Sequence, residues 1–190
     1  MKKKYVEDYK LFLDKTSEGK VKEKLEYTGK YYWFNLDNKQ MLRFKILFGS
    51  ILMVELTLFI LMGVINNDGS RILYVLLPYV CGIMPFYYLI SAFFAMPGKQ
   101  MDMEYVQYDT SYVRSKKSAV GIMVCMALAG MGDIIFVVRN MAEIEIKKEF
   151  VFFLLSFLIF LLNFIFIKFE TKVNKCINIR ESKILNESNK

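Results

Sequence analysis

The chain has 190 residues, is 55% hydrophobic, carries a formal net charge of +7 and has a mean hydropathy of +0.29. Its apolar residues fall in four blocks with the charges between them, which excludes an ordinary soluble domain and marks membrane spans. Histidine is absent, and Cys81, Cys125 and Cys176 form no close pair, which removes the commonest general base, the usual zinc ligand sets and a disulfide framework.

Residues 1–42 read as a cytoplasmic segment. Met1-Lys2-Lys3-Lys4 is followed by no apolar stretch of the kind a signal peptide needs, and neither end carries a lipidation motif. The first span is therefore expected to act as its own insertion signal. Tyr5, Val6, Tyr9, Phe12 and Leu13 recur at helical spacing, which predicts a short amphipathic helix over 3–14, broken at Thr16-Ser17-Glu18-Gly19. Val21, Leu25 and Tyr27, then Tyr31-Tyr32-Trp33-Phe34, predict a small β-hairpin turning at Thr28-Gly29. Asp37 with Gln40 three residues later resembles a capping box that starts the next helix.

Span 1 is expected over 44–65, followed by the polar turn Asn66-Asn67-Asp68-Gly69-Ser70. Span 2 covers 72–96 and carries Pro78 and Pro85, which predict a kink. The loop 97–117 places Tyr105, Tyr108 and Tyr112 at i, i+3 and i+7 before Lys116-Lys117, the pattern of a short helix lying on the bilayer surface. Span 3 covers 118–138, an outer loop runs from Arg139 to Glu149, and span 4 covers 150–167. The polar, basic tail, 169–190, extends span 4 helically before fraying. The expected fold class is thus all-α: a four-transmembrane-helix bundle over 43–168 with a small cytoplasmic N-terminal helix and hairpin.

Orientation follows from the basic residues. Of the 26 Lys and Arg, 22 lie in the N-terminal segment through Lys45, the 97–117 loop and the tail counted from Lys168. By the positive-inside rule both termini are cytoplasmic. The same bias accounts for the net charge, so nucleic-acid binding is not expected. Lys, Ile and Asn usage resembles that of a low-GC bacterium, and the bilayer is expected to be a plasma membrane.

Glu55 is the most informative residue. A carboxyl in the middle of span 1 costs several kcal/mol if charged and facing lipid, so it must face protein or water or hold a proton. It serves either as a proton or cation site or as a structural hydrogen bond between helices. Asp133 follows Gly130-Met131-Gly132 in span 3. It is read either as a second candidate or as a partner for Arg139 near the outer interface. Helical rise places it about 10 Å from the level of Glu55. Asn163 in span 4 is the third polar candidate. Gly121, Cys125, Ala129 and Gly132 form a stripe of small residues suited to close helix packing or to self-association. Span 4 is otherwise Phe, Leu and Ile almost all round, as a lipid-exposed helix requires. Trp33, Tyr31, Tyr105, Tyr108 and Tyr112 suit either the headgroup layer or a partner surface.

Four spans with a mid-membrane Glu in the first resemble the architecture of small multidrug-resistance transporters. Those proteins are much shorter, and the residues around Glu55 depart from their motif. No phosphate loop, nucleophile elbow, HExxH or kinase motif is present, so neither enzymatic activity nor a cofactor or metal is expected. Two functions remain. One is an accessory or interaction subunit of a larger membrane assembly. The alternative is an oligomeric proton- or cation-coupled transporter or channel using Glu55. The expected partners are the lipid bilayer and either another protein or further copies of the chain.

Overall fold

A computed structural model of the chain describes residues 9–15, 21–99, 102–141 and 145–180. The helices are α1 (Asn38–Val64), α2 (Leu73–Cys81), α3 (Ile83–Ala95), α4 (Tyr105–Tyr108), α5 (Arg114–Asn140) and α6 (Ile146–Asn174). The strands are β1 (Tyr9–Lys15), β2 (Val21–Tyr27), β3 (Tyr31–Phe34) and β4 (Ile177–Arg180). Four helical stretches, 38–64, 73–95, 105–140 and 146–174, are long and apolar enough to cross a membrane.

The four stretches form a ring in chain order. α1 packs on α3, α3 and α2 on α5, α5 on α6, and α6 closes back on α1. Buried positions on α6 are Glu149, Phe152, Ser156, Ile159, Asn163, Phe166 and Glu170, alternating by three and four residues. Those on α1 follow nearly the same rhythm: Met41, Phe44, Phe48, Leu52, Glu55, Phe59 and Met62. This is the periodicity of a left-handed bundle seam. The outward faces stay apolar, with Ile60, Leu77, Val124, Leu154, Phe157 and Phe164 exposed, as contact with lipid demands. Span 4 is therefore lipid-facing on one side only. Its other side is a half-polar seam set against α5 and α1.

Lipid tails are as apolar as leucine, so small residues and polar ties must hold such a bundle together. α5 supplies both. A Cβ on Gly121 would meet the Pro85 ring at 3.3 Å, and one on Gly132 would meet the Tyr74 carbonyl and Val75 at 3.2 Å. Ala129 is fully buried and Cys125 half-buried. On the other flank, Ser156 Oγ donates to the Met126 carbonyl at 2.7 Å, tying α6 to α5. Span 2 breaks between α2 and α3 at Gly82. Pro85 has no N–H for the carbonyl of Cys81, and Pro78 has none for that of Tyr74. The freed Tyr74 carbonyl is the atom that faces Gly132.

α1 starts at Asn38, where Asp37 N donates to Gln40 Oε1 at 3.2 Å. Beyond the membrane stretches the structure corrects three expectations. Tyr9–Lys15 is a strand paired with β2, with Leu11 opposite Leu25 and Tyr9 opposite Tyr27, so the described part of the expected amphipathic helix is extended. Tyr9, Leu11 and Leu13 also alternate at period two, and cross-strand pairing decides between the two readings. The expected break at 16–19 and residues 1–8 lie outside the described residues. The hairpin does not turn at Thr28-Gly29, because β3 pairs with β4 and not with β2. Tyr27 lies over Gly29 and its hydroxyl donates to the Lys30 carbonyl at 3.0 Å, which redirects the chain away from β2. The tyrosine helix does not lie apart from span 3. It runs from α4 through a π-helical turn, Asp109–Val113, into α5 without a break.

β3 is also bridged on its other edge, where Tyr32 and Met103 exchange backbone hydrogen bonds of 2.9 and 2.8 Å. β3, Met103 and β4 thus knit into one cap on one end of the bundle. The opposite end, carrying the Asn66–Ser70 turn, is the far end.

Candidate functional site

The bundle buries polar side chains at three levels, and α6 contributes to each. Its polar seam positions, Glu149, Ser156, Asn163 and Glu170, recur every seven residues, with Phe152, Ile159 and Phe166 between them. Seven residues are two helical turns, so all four point to one side.

At the far end, Glu149 Oε2 accepts a hydrogen bond from Asn67 Nδ2 at 2.5 Å. Its Oε1 accepts from the Asp68 and Gly69 backbone amides at 2.9 and 3.1 Å. The short 3₁₀ turn Gly69–Arg71 presents these amides. Asp133 lies beside Glu149, and its Oδ1 is without a hydrogen-bond partner among the described residues. Gly69 sits against both carboxyls: a Cβ there would fall 2.6 Å from Asp133 Oδ1 and 2.7 Å from Glu149 Oε2. A groove between α5 and α6 reaches this pair and is lined by Ile134, Val138, Ile146 and Phe150.

In the middle of the bundle Glu55 and Asn163 face each other across α1 and α6, both at 0% exposure. Asn163 Nδ2 donates to the Ile159 carbonyl of its own helix at 3.0 Å. Both oxygens of Glu55 and Oδ1 of Asn163 lack a partner among the described residues. Asn163 is the polar side chain set beside Glu55.

At the cap end Ser115 Oγ lies 2.5 Å from Glu170 Oε1 and 2.8 Å from the Tyr112 carbonyl. Glu170 is at 0% exposure, and Lys116 is the cation beside it. Glu170 Oε2, the Tyr112 hydroxyl and Asn174 Oδ1 have no partner among the described residues.

The two seam candidates Glu55 and Asn163 are thus brought together, and Asp133 is held two heptads away, at the level of Glu149. Glu149 and Glu170 were missed, one assigned to the outer loop and the other to the tail. The seven-residue spacing through Asn163 is the sequence signal that points to them.

The aromatic candidates build the cap. Tyr112 is fully buried, with ring centroids 4.8 Å from Phe34 and 6.4 Å from Phe44, so its ring is spent on the protein's own core. The Pro-free helix and the π turn swing it inward onto β3. Tyr108 stacks on Tyr32 at 4.3 Å with an interplanar angle of 2°, and Tyr105 meets the same ring at 5.8 Å. Tyr31 packs edge-on against Tyr27 at 5.1 Å, and Arg180 lies over Trp33 at 5.3 Å. Among the described residues no cluster of His, Cys, Asp and Glu is arranged to hold a metal ion. No protein family, curated protein or solved structure matches the chain.

Proposed function

We propose that this chain is a multi-pass plasma-membrane protein of a bacterium, with both termini in the cytoplasm, that serves as an interaction subunit of a larger membrane assembly. One observation carries the reading. Three separate segments, β3, the Met103 loop and β4, are knit into a single folded cap. These are the segments that, with their flanks, hold 22 of the 26 basic residues. The aromatic residues of the cap are largely spent on one another, so its outward chemistry is basic, with Ile179 exposed beside Arg180. Such a surface suits the acidic cytoplasmic face of a larger membrane protein, where complementary charge directs association.

The test is a tagged chain extracted from native membranes in mild detergent, with mass spectrometry and the mass of the intact complex. A stoichiometric larger partner is expected, released by Arg180→Glu in a variant that still elutes as a folded protein. A homo-oligomer without partner overturns the reading. Reporter fusions at the C-terminus test the orientation, which requires a cytoplasmic signal.

A further inference from the structure

We propose that the polar seam of α6 is a proton path across the membrane, with Glu55 as its central relay. Every buried side-chain polar atom without a partner among the described residues lies on α6 or on a residue set beside its seam. Native interiors rarely leave such atoms unpaired. Their gathering along one line is the signature of a path and not of scattered packing faults.

The line has the right length. Glu149 and Glu170 are 21 residues apart on one helix. That is a rise of about 32 Å, against roughly 30 Å for the hydrocarbon core. Each heptad step is about 10 Å, and on this proposal water entering the seam carries the proton from one polar group to the next. The Ser156 hydroxyl stands one step from both Asn163 and Glu149.

Both ends are built to hold a proton. Asp133 and Glu149 lie side by side against Gly69, where a Cβ would fall 2.6 Å from Asp133 Oδ1 and 2.7 Å from Glu149 Oε2, so a proton arriving there meets two neighbouring carboxyls that can share it. A serine hydroxyl has one hydrogen, yet Ser115 Oγ is within bonding distance of both the Tyr112 carbonyl and Glu170. Both contacts are satisfied together when Glu170 carries the hydrogen and donates it to Ser115.

The surroundings of the path are limited. α2 offers Tyr79, whose hydroxyl is committed to the Phe59 carbonyl at 3.0 Å. α3 presents Phe86 and Leu89. α5 offers Ser115, Lys116 and Asp133, the π turn before it offers Tyr112, and on the other flank of α5 lies Cys125, near Cys81 of α2. Glu55 is the only ionisable residue of α1 in the buried seam.

A proton taken up by Glu170 at the cap passes to Glu55. It leaves through the Asp133–Glu149 pair and the groove between α5 and α6. The net event is the movement of one H⁺ and one positive charge down its electrochemical gradient, with no co-reactant. This goes beyond the interaction reading, because the flux requires no partner.

The experiment is the purified full chain in liposomes holding a pH-sensitive dye, with a potassium diffusion potential imposed by valinomycin. Protein-dependent proton uptake is expected in the wild type. It should fall to the protein-free leak in Glu55→Gln and in Glu170→Gln, persist in Glu55→Asp, and be unchanged when choline replaces sodium. Unfolding midpoints establish that each variant is folded. Glu170→Gln stands in should Glu55→Gln fail to fold. A wild-type rate equal to the leak overturns the proposal. So do folded Gln variants that conduct like wild type, and so does a flux that requires sodium.

Discussion

Asn67, in the turn after α1, donates to Glu149 at the start of α6 across 2.5 Å, joining residues 82 positions apart. The turn between the first two spans is thereby fastened to the fourth, and among the described residues the far end of the ring closes without a β-sheet or a disulfide. Glu149 accepts two backbone amides as well. Glu149→Ala should remove all three bonds and leave the buried Asn67 amide unpaired. The expected loss is about 3 kcal/mol, the upper range for hydrogen bonds to a charged group. Glu149→Gln, which keeps one carbonyl oxygen as acceptor, should lose less. Denaturant unfolding in detergent, followed by circular dichroism, measures both.

Gly69 is needed at the same place for its lack of a side chain. Gly69→Ala would put a Cβ within 2.7 Å of two carboxyl oxygens and 3.1 Å from Phe136. Displacing them should destabilise the protein by about 1–3 kcal/mol. Gly98→Ala is the control: its nearest neighbour is Lys45 Cδ at 3.8 Å, and the change should stay within about 0.5 kcal/mol. Equal midpoints for the two alanine variants would show that Gly69 is not held against the carboxyl pair.

The α5 contacts separate packing from polar ties. Ser156→Ala removes one bond between helices and should cost about 0.6 kcal/mol, typical of such bonds in membrane bundles. Gly132→Leu forces a side chain against Tyr74 and Val75 and should cost more, at least about 2 kcal/mol. The ranking of the two in a common unfolding assay is the check, and a reversed order would contradict the close approach of α5 to α2.

The strand pairing of the cap predicts proximity. Trp33 and Asn178 are Cα partners in the register of β3 and β4. Trp33→Cys with Asn178→Cys, in a background lacking the three native cysteines, should be joined by a short bis-maleimide. Trp33→Cys with Lys147→Cys, at opposite ends of the bundle, should not. Phe34→Ala, which empties the pocket against Tyr112, should loosen the cap by about 3–5 kcal/mol, read as faster hydrogen exchange in β3 and β4.

The four membrane stretches were legible in the sequence because hydropathy is a local property, and Pro78 and Pro85 announced the break in span 2 for the same reason. The cap was not. β3 and β4 are separated by most of the chain, and neither short strand carries a mark that names its partner. Residues 9–15 satisfy a helical and a strand period at once, so only β2 could decide between them. In the candidate site, Glu55, Asp133 and Asn163 stand out because they interrupt apolar runs. Glu149 and Glu170 sit where charge is ordinary, at the ends of α6, and depth alone hid them. Reading α6 in sevens instead of by hydropathy links them to Asn163.

The π turn between α4 and α5 works as an indexing device. Its carbonyl at Asp109 is bonded by the Arg114 amide, five residues on, which amounts to one residue more than an α-helix would hold. That residue sets the angular phase between the tyrosines stacked on β3 and the Ser115 that meets Glu170. Deleting Thr110 would turn the cap side of the helix by about 100° relative to the bundle. Tyr108 would swing off β3 while α5 and α6 kept their register. One extra residue in this turn therefore fixes where the stacked tyrosines of the cap stand relative to the buried carboxyls below them.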